Sequence, residues 1–420
     1  MKKGSLSSYF DGVAGKILAA CEVNQKVSHQ HEFNGVQTLK ALFGEGRKER
    51  IKTKFLYLDD NIDPVEEDGF LTWYDARENH PSRSEYRLYF SDTKISQNMD
   101  INDLWVIAKL NLPQNHPSEN TYKFLIIVAK GYSTYANQLQ WLFGLENNIL
   151  SHFSVRDGTA LEGERVSFTA SLILESIGIA VDDTDDTFTE ILIRRYKSNF
   201  PSTKEFSEFA RYTCLADVHP DSTPDEKISL WMEREEILFK TFEKHIIAKR
   251  LQDGFYSFTT EIDTDLFIEY ALSVLNRRKS RVGHAFENHL EFLFRESKLH
   301  FSRGAITENR AKPDFLFPGK KEYDNANFPQ LLLTMLGVKS TCKDRWRQVL
   351  TEANRVKTKH LITLEPGISL NQTAEMQEHN LRLVVPQDLH KTYQQCQQNW
   401  LLSVADFVNL VQKRQSKAGL

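Results

Sequence analysis

Between residues 312 and 339 the chain carries two apolar runs, each with a charged residue at one end. The first run, residues 315–318, directly follows Asp314, and the second, residues 331–338, directly precedes Lys339. Both runs are short and bounded by Pro, Gly or charged residues, which predicts two buried strands. A hairpin-like return between them brings the carboxylate and the ammonium group together at one edge of a sheet.

An acid and a lysine in this arrangement suit metal-dependent hydrolysis of a phosphodiester. Carboxylates hold a hard cation such as Mg²⁺, which polarises the phosphate and lowers the pKa of a bound water. A nearby lysine orients the attacking hydroxide and stabilises the developing charge. The usual form of the motif has an acid two residues before the lysine, but Gly337 stands there. We expect Glu352 to supply the missing carboxylate from the next helix.

That helix is predicted from residue 343 to about residue 357, because this stretch lacks Gly and Pro and contains mostly good helix formers. One apolar face follows from the i, i+3, i+4, i+7 spacing of Trp346, Val349, Leu350 and Ala353. Lys343, Asp344 and Arg345 lie at the end of this helix nearest Lys339. Arginine binds guanine in a bidentate manner and aspartate accepts from cytosine N4, so the triplet suits the reading of a G·C pair.

The densest basic run of the chain comprises Arg277, Arg278, Lys279 and Arg281. We expect it to precede the helix that bears Glu287 and to clamp DNA phosphates. The alternative is a solvated helix cap. Glu287 and Glu291 are four residues apart, as on any surface helix, so the residues alone leave the role of Glu287 open.

From about residue 276 to residue 393 the chain closely resembles the catalytic domain of the EcoRII-type restriction endonucleases. The matching segments are residues 276–281, 287–291, 305–308, 312–318, 339–348 and 381–386. The resemblance implies a PD-(D/E)XK nuclease fold, a mixed sheet flanked by helices, with Mg²⁺ as cofactor. It places catalysis and metal binding on Glu287, Asp314, Lys339 and Glu352, and base reading on Lys343, Asp344 and Arg345. Family members cut at sites with outer CC/GG pairs around a central base pair.

The front part of the chain reads as a strand-rich module, a small barrel rather than a regular sandwich. Strands are predicted at residues 54–58, 70–74, 86–90, 104–110 and 122–128, and helices at residues 35–43 and 134–143. We expect the first 21 residues to form a plain amphipathic helix.

Within this module, residues 73–87 interleave arginines with aromatic residues. Tyr74, Arg77, Arg83 and Arg87 can stack on bases and grip phosphates. The alternative is a hairpin whose arginines pair with Glu78 and Glu85. The segment also resembles the B3-like effector domain at the front of EcoRII-type enzymes, a DNA-binding pseudobarrel, and this resemblance favours DNA binding.

A chain of 420 residues is long enough for two domains. We expect a B3-like domain with linker at residues 1–190 and the catalytic domain at residues 191–420, with the acidic run at residues 182–187 as an exposed linker. Further helices are predicted at residues 205–213, 224–250, 262–275 and 400–412, and further strands at residues 360–364 and 381–385. The mixed sheet then has helices on both faces.

Composition restricts the possible partners and compartment. The net charge of −4 counts mildly against a DNA-binding protein, so the basic surface must be confined to one cleft. The four cysteines include no C-x-x-C pair, which argues against zinc and for a reduced, cytoplasmic chain. No window is long and apolar enough to span a membrane.

The hypothesis is therefore a type II restriction endonuclease that makes Mg²⁺-dependent double-strand cuts at a short CCWGG- or CCNGG-like site. Its partners would be double-stranded DNA, a second copy in a two-fold homodimer, and a cognate DNA methyltransferase of the same system. By resemblance, the front domain would be an allosteric effector that binds a second copy of the site. Two alternatives stay open: a modification-dependent endonuclease whose front domain reads altered DNA, and a non-cleaving DNA-binding regulatory protein.

Overall fold

The structure is a computed structural model, and it describes most of the chain. The described residues are 4–23, 31–112, 121–145, 152–162, 164, 166–181, 186–197, 199–219, 221–256, 262–342 and 345–420. Two sheets organise these residues, one in the front part of the chain and one in the C-terminal part.

The front sheet has eight strands in the order β2-β5-β4-β3-β7-β6-β1-β8. The strands are β1 (Phe10–Ile17), β2 (Glu32–Phe33), β3 (Lys48–Leu58), β4 (Val65–Asp75), β5 (Tyr86–Phe90), β6 (Leu104–Leu110), β7 (Phe124–Ala129) and β8 (Ser154–Asp157). Pairing is antiparallel except between β3 and β7. The sheet curls strongly enough to bring its two edge strands, β2 and β8, close together. The ring of Phe33 on β2 lies 5.2 Å from that of Phe153, which directly precedes β8. All five predicted strands are present, and the B3-like assignment of this open barrel stays a prediction.

The expectation of an amphipathic helix over the first 21 residues is wrong, because residues 10–17 form β1. Two glycines explain the preference for a strand. A Cβ atom on Gly12 would lie 2.5 Å from Leu42, and one on Gly15 would lie 2.4 Å from Leu145. Both sides of β1 are therefore packed closely against neighbouring segments, which a one-sided amphipathic helix would not be.

The front helices are α1 (Ala20–Val23), α2 (Lys40–Phe43), α3 (Lys94–Gln97), α4 (Thr134–Phe143), α5 (Gly158–Glu162), α6 (Phe168–Ser176) and α7 (Thr189–Tyr196).

A helical layer leads into the second sheet. It consists of α8 (Thr203–Thr213), α9 (Pro224–Asp253) and α10 (Thr264–Glu296). Ser202 caps α8, since its side chain accepts from the backbone N–H of Glu205. The helix expected to end at residue 275 instead continues to Glu296, so the basic run lies in the middle of α10 rather than before a helix. No Gly or Pro interrupts the chain between residues 264 and 282, which lets the helix continue.

The C-terminal sheet has five strands in the order β13-β12-β11-β10-β9. The strands are β9 (Ser302–Arg303), β10 (Phe315–Phe317), β11 (Thr334–Lys339), β12 (Lys359–Thr363) and β13 (Leu381–Val384), and the helices around them are α11 (Lys320–Asp324), α12 (Trp346–Val349), α13 (Leu370–Glu378), α14 (Gln395–Gln398) and α15 (Val404–Lys417). Strands β9 to β11 pair antiparallel and β11 to β13 pair parallel. One face packs on α9, α10 and α15, and the other packs on α12 and α13. The predicted mixed sheet with helices on both faces is confirmed.

The front and C-terminal parts touch through α4 and the loop after β12. Gln138 Nε2 donates to the carbonyl of Pro366 at 2.9 Å, and Asn137 Nδ2 donates to that of Gly367 at 3.3 Å. The linker predicted at residues 182–187 lies mostly outside the described residues, and the division at residue 190 stays a prediction. No helix in the described ranges has both the length and the apolar character that a membrane crossing requires.

Candidate active site

Asp314 and Lys339 meet at the edge of the C-terminal sheet, as the two apolar runs predicted. Phe315 on β10 pairs with Leu336 on β11 in antiparallel register. Lys339 Nζ lies 3.5 Å from Asp314 Oδ2, and the same oxygen accepts from the backbone N–H of Val338 at 2.6 Å. Burial raises the pKa of Asp314, while the Lys339 ammonium group and the Val338 N–H lower it. The second run is shorter than predicted, because β11 begins only at Thr334.

Glu352 approaches the same site, but not from the predicted helix. Helix α12 covers only Trp346–Val349, so the expectation of a helix to about residue 357 is wrong. Ala353 has a φ of +49°, which cannot continue a right-handed helix. Tertiary contacts hold this turn: buried Lys359 donates through Nζ to the carbonyls of Glu352, Ala353 (3.1 Å) and Val356 (3.3 Å).

The carboxylate of Glu352 is electrostatically linked to the other two groups. Its pKa is raised to about 6. Burial is the largest cause, the charge of Asp314 acts in the same direction, and the Lys339 ammonium group opposes the shift. Its Oε2 atom is buried and has no hydrogen-bond partner among the described residues. A buried acceptor without a partner destabilises the folded state unless a cation or a hydrogen-bond donor binds it.

Gly337 is explained by packing. A Cβ atom there would lie 2.8 Å from Cγ2 of Val349 on α12 and 3.2 Å from Cγ1 of the same residue. The side chain at this position would therefore meet the buried face of α12, and an acid there would be pressed against apolar groups. The carboxylate comes from the turn after α12 instead, where Glu352 stands.

We expect Gly337→Ala to destabilise the protein by about 1–3 kcal/mol, because the added methyl group overpacks the contact with Val349. Urea unfolding measured by circular dichroism checks this. The double variant Gly337→Ala/Val349→Ala removes the clashing methyl groups. Its loss of unfolding free energy should be smaller than the sum of the losses in the two single variants. A Gly337→Ala protein as stable as the wild type would contradict the packing explanation.

Glu287 on α10 lies beside the site, since its charge contributes to raising the pKa of Asp314. Its Oε2 atom is paired with Arg303 Nη2 at 2.8 Å. Within the described residues, no three His, Cys, Asp or Glu side chains converge in a metal-holding arrangement. Mg²⁺ is commonly bound by one or two carboxylates together with waters and substrate phosphate, so Asp314 and the unpaired Oε2 of Glu352 suit it as donors.

Of the three residues predicted to read bases, only Arg345 lies in the described residues. Lys343 and Asp344 are outside them. Arg345 is exposed, and its Nη2 donates to Thr341 Oγ1 at 2.6 Å and to the Thr341 carbonyl at 3.2 Å. Cys342 is linked to the loop after β12, because its backbone N–H donates to Glu365 Oε2 at 2.8 Å. Arg345 is thus at the surface, and its role in base reading stays a prediction.

The basic run on α10 is largely used within the protein. Arg278 Nε lies 2.6 Å from Glu243 Oε2, and Arg277 stacks on the ring of Phe200 at 4.6 Å. Arg281 is buried, pairs with Glu236 and lies over the ring of Phe239. The expectation of a phosphate contact is therefore corrected for Arg281, because its guanidinium group is enclosed between α9 and α10. Arg277, Arg278 and Lys279 remain at the surface.

In the front part of the chain, the arginine-rich hairpin forms ion pairs with acidic residues. Arg77 Nε and Arg87 Nη2 each lie 2.7 Å from the Glu85 carboxylate, as the ion-pair alternative predicted. Arg87 also reaches Glu32 at 3.2 Å, and the hydroxyl of Tyr74 donates to Glu32. Arg83 is exposed. Tyr74, Arg77 and Arg87 thus form one network through Glu32 and Glu85. The role of these residues and of Arg83 in DNA binding stays a prediction.

Two residues of the site were not found by sequence reasoning. Arg303 on β9 contacts Glu287, and Lys359 at the start of β12 fixes the turn that carries Glu352. Each is a single basic residue next to a short strand, and no motif distinguishes it from a solvated one. The only available signal was the position of each between segments that carry the family resemblance.

The C-terminal part of the chain is similar to a known protein family. Residues 239–408 match the family model described as EcoRII C terminal. The resemblance seen in the sequence is confirmed over this segment.

Individual relatives make the similarity more specific. The type II restriction enzyme EcoRII of Escherichia coli is 40% identical over 252 residues, which cover 60% of this chain and 60% of the relative. The type II restriction enzyme SsoII of Shigella sonnei is 26% identical over 194 residues, covering 40% of this chain and 62% of the relative. The chain thus spans about six tenths of the length of the curated relatives it matches.

Solved structures give a weaker likeness. Metal-depleted Ecl18kI in complex with uncleaved, modified DNA has a TM-score of 0.45 at 20% identity, over 56% of this chain and 85% of that chain. The complex of the restriction endonuclease PspGI with substrate DNA has a TM-score of 0.43 at 16% identity, over 52% of this chain and 94% of that chain.

Proposed function

We propose that this protein is a type II site-specific deoxyribonuclease that hydrolyses both strands of double-stranded DNA with Mg²⁺. The observation that carries the proposal is the convergence of Asp314, Lys339 and the unpaired carboxylate of Glu352 at one sheet edge. It lies in the segment that matches the EcoRII C-terminal family model. Mg²⁺ bound there would polarise the phosphate and supply a hydroxide from bound water.

In the proposed reaction, the chain's own groups have separate tasks. Asp314, Glu352 and Glu287 would hold the cation, and Lys339 would orient the attacking water and stabilise charge on the phosphate. Arg345, with Lys343 and Asp344, reads the outer G·C pairs of a CCWGG- or CCNGG-like site. Arg277, Arg278 and Lys279 contact the DNA backbone.

A two-fold homodimer would place two such sites on opposite strands. An apolar stripe on the first half of α10 supports this assembly. Phe267, Ile268, Leu272 and Leu275 are each about half exposed, between 47% and 54%. Large apolar side chains at this helical spacing favour burial against a partner helix, for which a second copy is the natural occupant.

We further propose that the front domain binds a second copy of the site through Tyr74, Arg77, Arg83 and Arg87 and controls the catalytic domain. A continuous set of hydrogen bonds supports control. Helix α4 bonds to Pro366 and Gly367, and the preceding residue, Glu365, accepts from the N–H of Cys342, next to the base-reading loop. A change in the position of the front domain would therefore reach the loop that bears Arg345.

Digestion of plasmids tests the proposal. One unmodified plasmid carries several CC(A/T)GG sites, and a matched plasmid has every site altered by one base pair. We expect discrete double-strand fragments from the first plasmid only, with Mg²⁺ and not with EDTA. Cutting restricted to cytosine-methylated plasmid would instead favour a modification-dependent enzyme. Specific binding without cutting of either plasmid would favour a non-cleaving regulatory protein.

A further inference from the structure

Arg303 projects from the sheet edge directly beside the proposed catalytic aspartate. It lies on β9, opposite Phe315 of β10, the residue after Asp314. The next residue, Gly304, donates its backbone N–H to the Asp314 carbonyl at 2.9 Å. The side chain of Arg303 is 28% exposed, so its guanidinium group is mostly enclosed. The backbone of Arg303 and that of Asp314 are thus fixed to each other by the strand pairing.

The guanidinium group of Arg303 connects this strand to α10 through three acceptors. Nη2 lies 2.8 Å from Glu287 Oε2, and Nη1 lies 2.5 Å from Glu291 Oε2. Nη1 also donates to Asn288 Oδ1 at 3.0 Å, and Asn288 in turn donates to Ser207 on α8 at 3.2 Å. The planar fork of arginine presents several donors in fixed directions, so it constrains the acceptors more strongly than a lysine would.

Glu287 needs such a constraint because it comes from a different layer. It lies on α10, while Asp314 lies on the sheet, and the like charges of the two carboxylates repel each other. Without a partner, the flexible side chain of Glu287 would turn toward solvent. Arg303 offsets the repulsion and keeps the Glu287 carboxylate at the site. Groups that orient metal-site carboxylates commonly affect metal affinity by 10- to 100-fold.

We propose that Arg303 is a positioning residue that fixes the Glu287 carboxylate beside Asp314 and thereby sets the affinity of the site for its divalent cation. This inference rests on the proposed nuclease function. Arg303 contacts Glu287 and contributes no group to the reacting atoms. Its effect is therefore expected on metal affinity and not on the recognition of DNA.

The chain offers a matched control for the test. Arg295 also pairs with Glu291, at 2.6 Å, but is 68% exposed. Full-length Arg303→Gln and Arg295→Gln proteins are compared with the wild type in two measurements. The first is the Mg²⁺ concentration for half-maximal cleavage of the CC(A/T)GG plasmid. The second is the rise in melting temperature on adding Mg²⁺ without DNA, which reports metal binding independently of activity.

We expect Arg303→Gln to raise the half-maximal Mg²⁺ concentration by about 10-fold or more. It should also diminish the Mg²⁺-induced rise in melting temperature, with metal-free binding of site DNA within about twofold of wild type. Arg295→Gln should match the wild type in its Mg²⁺ requirement, its Mg²⁺-induced rise in melting temperature and its DNA binding. Adding Arg303→Gln to Glu287→Gln should change the Mg²⁺ requirement little, because the two residues act as one unit.

An equal Mg²⁺ dependence of Arg303→Gln and Arg295→Gln, or tighter Mg²⁺ binding by Arg303→Gln, overturns the inference. If Arg303→Gln does not fold, Arg303→Lys decides: it keeps the charge but loses the fork, and an unchanged Mg²⁺ requirement overturns the inference. A wild-type protein that cuts neither plasmid would refute the proposed function instead. The melting-temperature measurement would then still show whether Arg303 governs metal binding.

Discussion

Replacing Lys339 by alanine is expected to abolish cleavage while leaving DNA binding in place. The Lys339 ammonium group lies 3.5 Å from Asp314 Oδ2 and interacts with the charge of Glu352. Removal of a single group that stabilises charge in the transition state lowers rates by on the order of 10³. Base reading and phosphate binding are proposed for other residues, Arg345 and the basic run of α10, so affinity for the site should remain.

Single-turnover cleavage and metal-free fluorescence anisotropy on the same oligonucleotide duplex measure the two effects separately. Lys339→Met keeps most of the side-chain volume and should be equally inactive, which separates loss of charge from loss of packing. Lys321→Ala, at an exposed position of α11, serves as the control lysine. A Lys339→Ala protein that keeps a tenth of the wild-type rate would exclude lysine from the chemistry. Loss of DNA affinity with unchanged stability would assign it to binding instead.

Replacing Glu352 by glutamine is expected to abolish cleavage and, without metal, to stabilise the protein. The pKa of Glu352 is raised to about 6, chiefly by burial, from 4.5. Between these two values the folded state binds the proton more tightly than the unfolded state. The stability contributed by this group therefore falls as the pH rises through that window. Above pH 6 the ionised carboxylate costs about 2 kcal/mol, since one pKa unit corresponds to about 1.4 kcal/mol.

Urea unfolding in EDTA at pH 5 and pH 8 checks the sign. Glu352→Gln should be more stable than the wild type by up to about 2 kcal/mol at pH 8, with a smaller difference at pH 5. Mg²⁺ at pH 8 should stabilise the wild type more than the variant, because the ion binds the carboxylate only in the folded state. Glu378→Gln, which removes an exposed carboxylate, is the control. A Glu352→Gln protein less stable than the wild type at pH 8 would show that the ionised carboxylate of Glu352 does not destabilise the folded state.

The pairing of Asp314 with Lys339 could be predicted because it depends on local order. Two short apolar runs with charged ends leave few arrangements, and the antiparallel pairing of β10 with β11 follows from the return between them. The family resemblance added Glu287, which helical spacing alone left undecided. Glu352 was predicted as the replacement for the acid missing at Gly337, and its charge does act on Asp314 and Lys339.

The surroundings of Glu352 could not be predicted, because distant contacts override the helix propensity of residues 343–357. Lys359 binds three carbonyl groups of the turn, and the backbone N–H of Ala353 donates to Thr307 at 3.4 Å. The same limitation applies to β1, where apolar residues fit either a helix or a strand. Gly12 and Gly15, each in contact with a leucine from elsewhere in the chain, decide for the strand.

Helix α10 also has a mechanical consequence. Its apolar stripe around Ile268 and the proposed site residue Glu287 are parts of one uninterrupted helix. At a rise of 1.5 Å per residue, these two positions are about 28 Å apart along the axis. A tilt of about 5° at the stripe would then displace Glu287 by about 2.5 Å. A partner that tilted α10 at the stripe would therefore shift the Glu287 carboxylate, so assembly at one end of the helix would tune the site at the other.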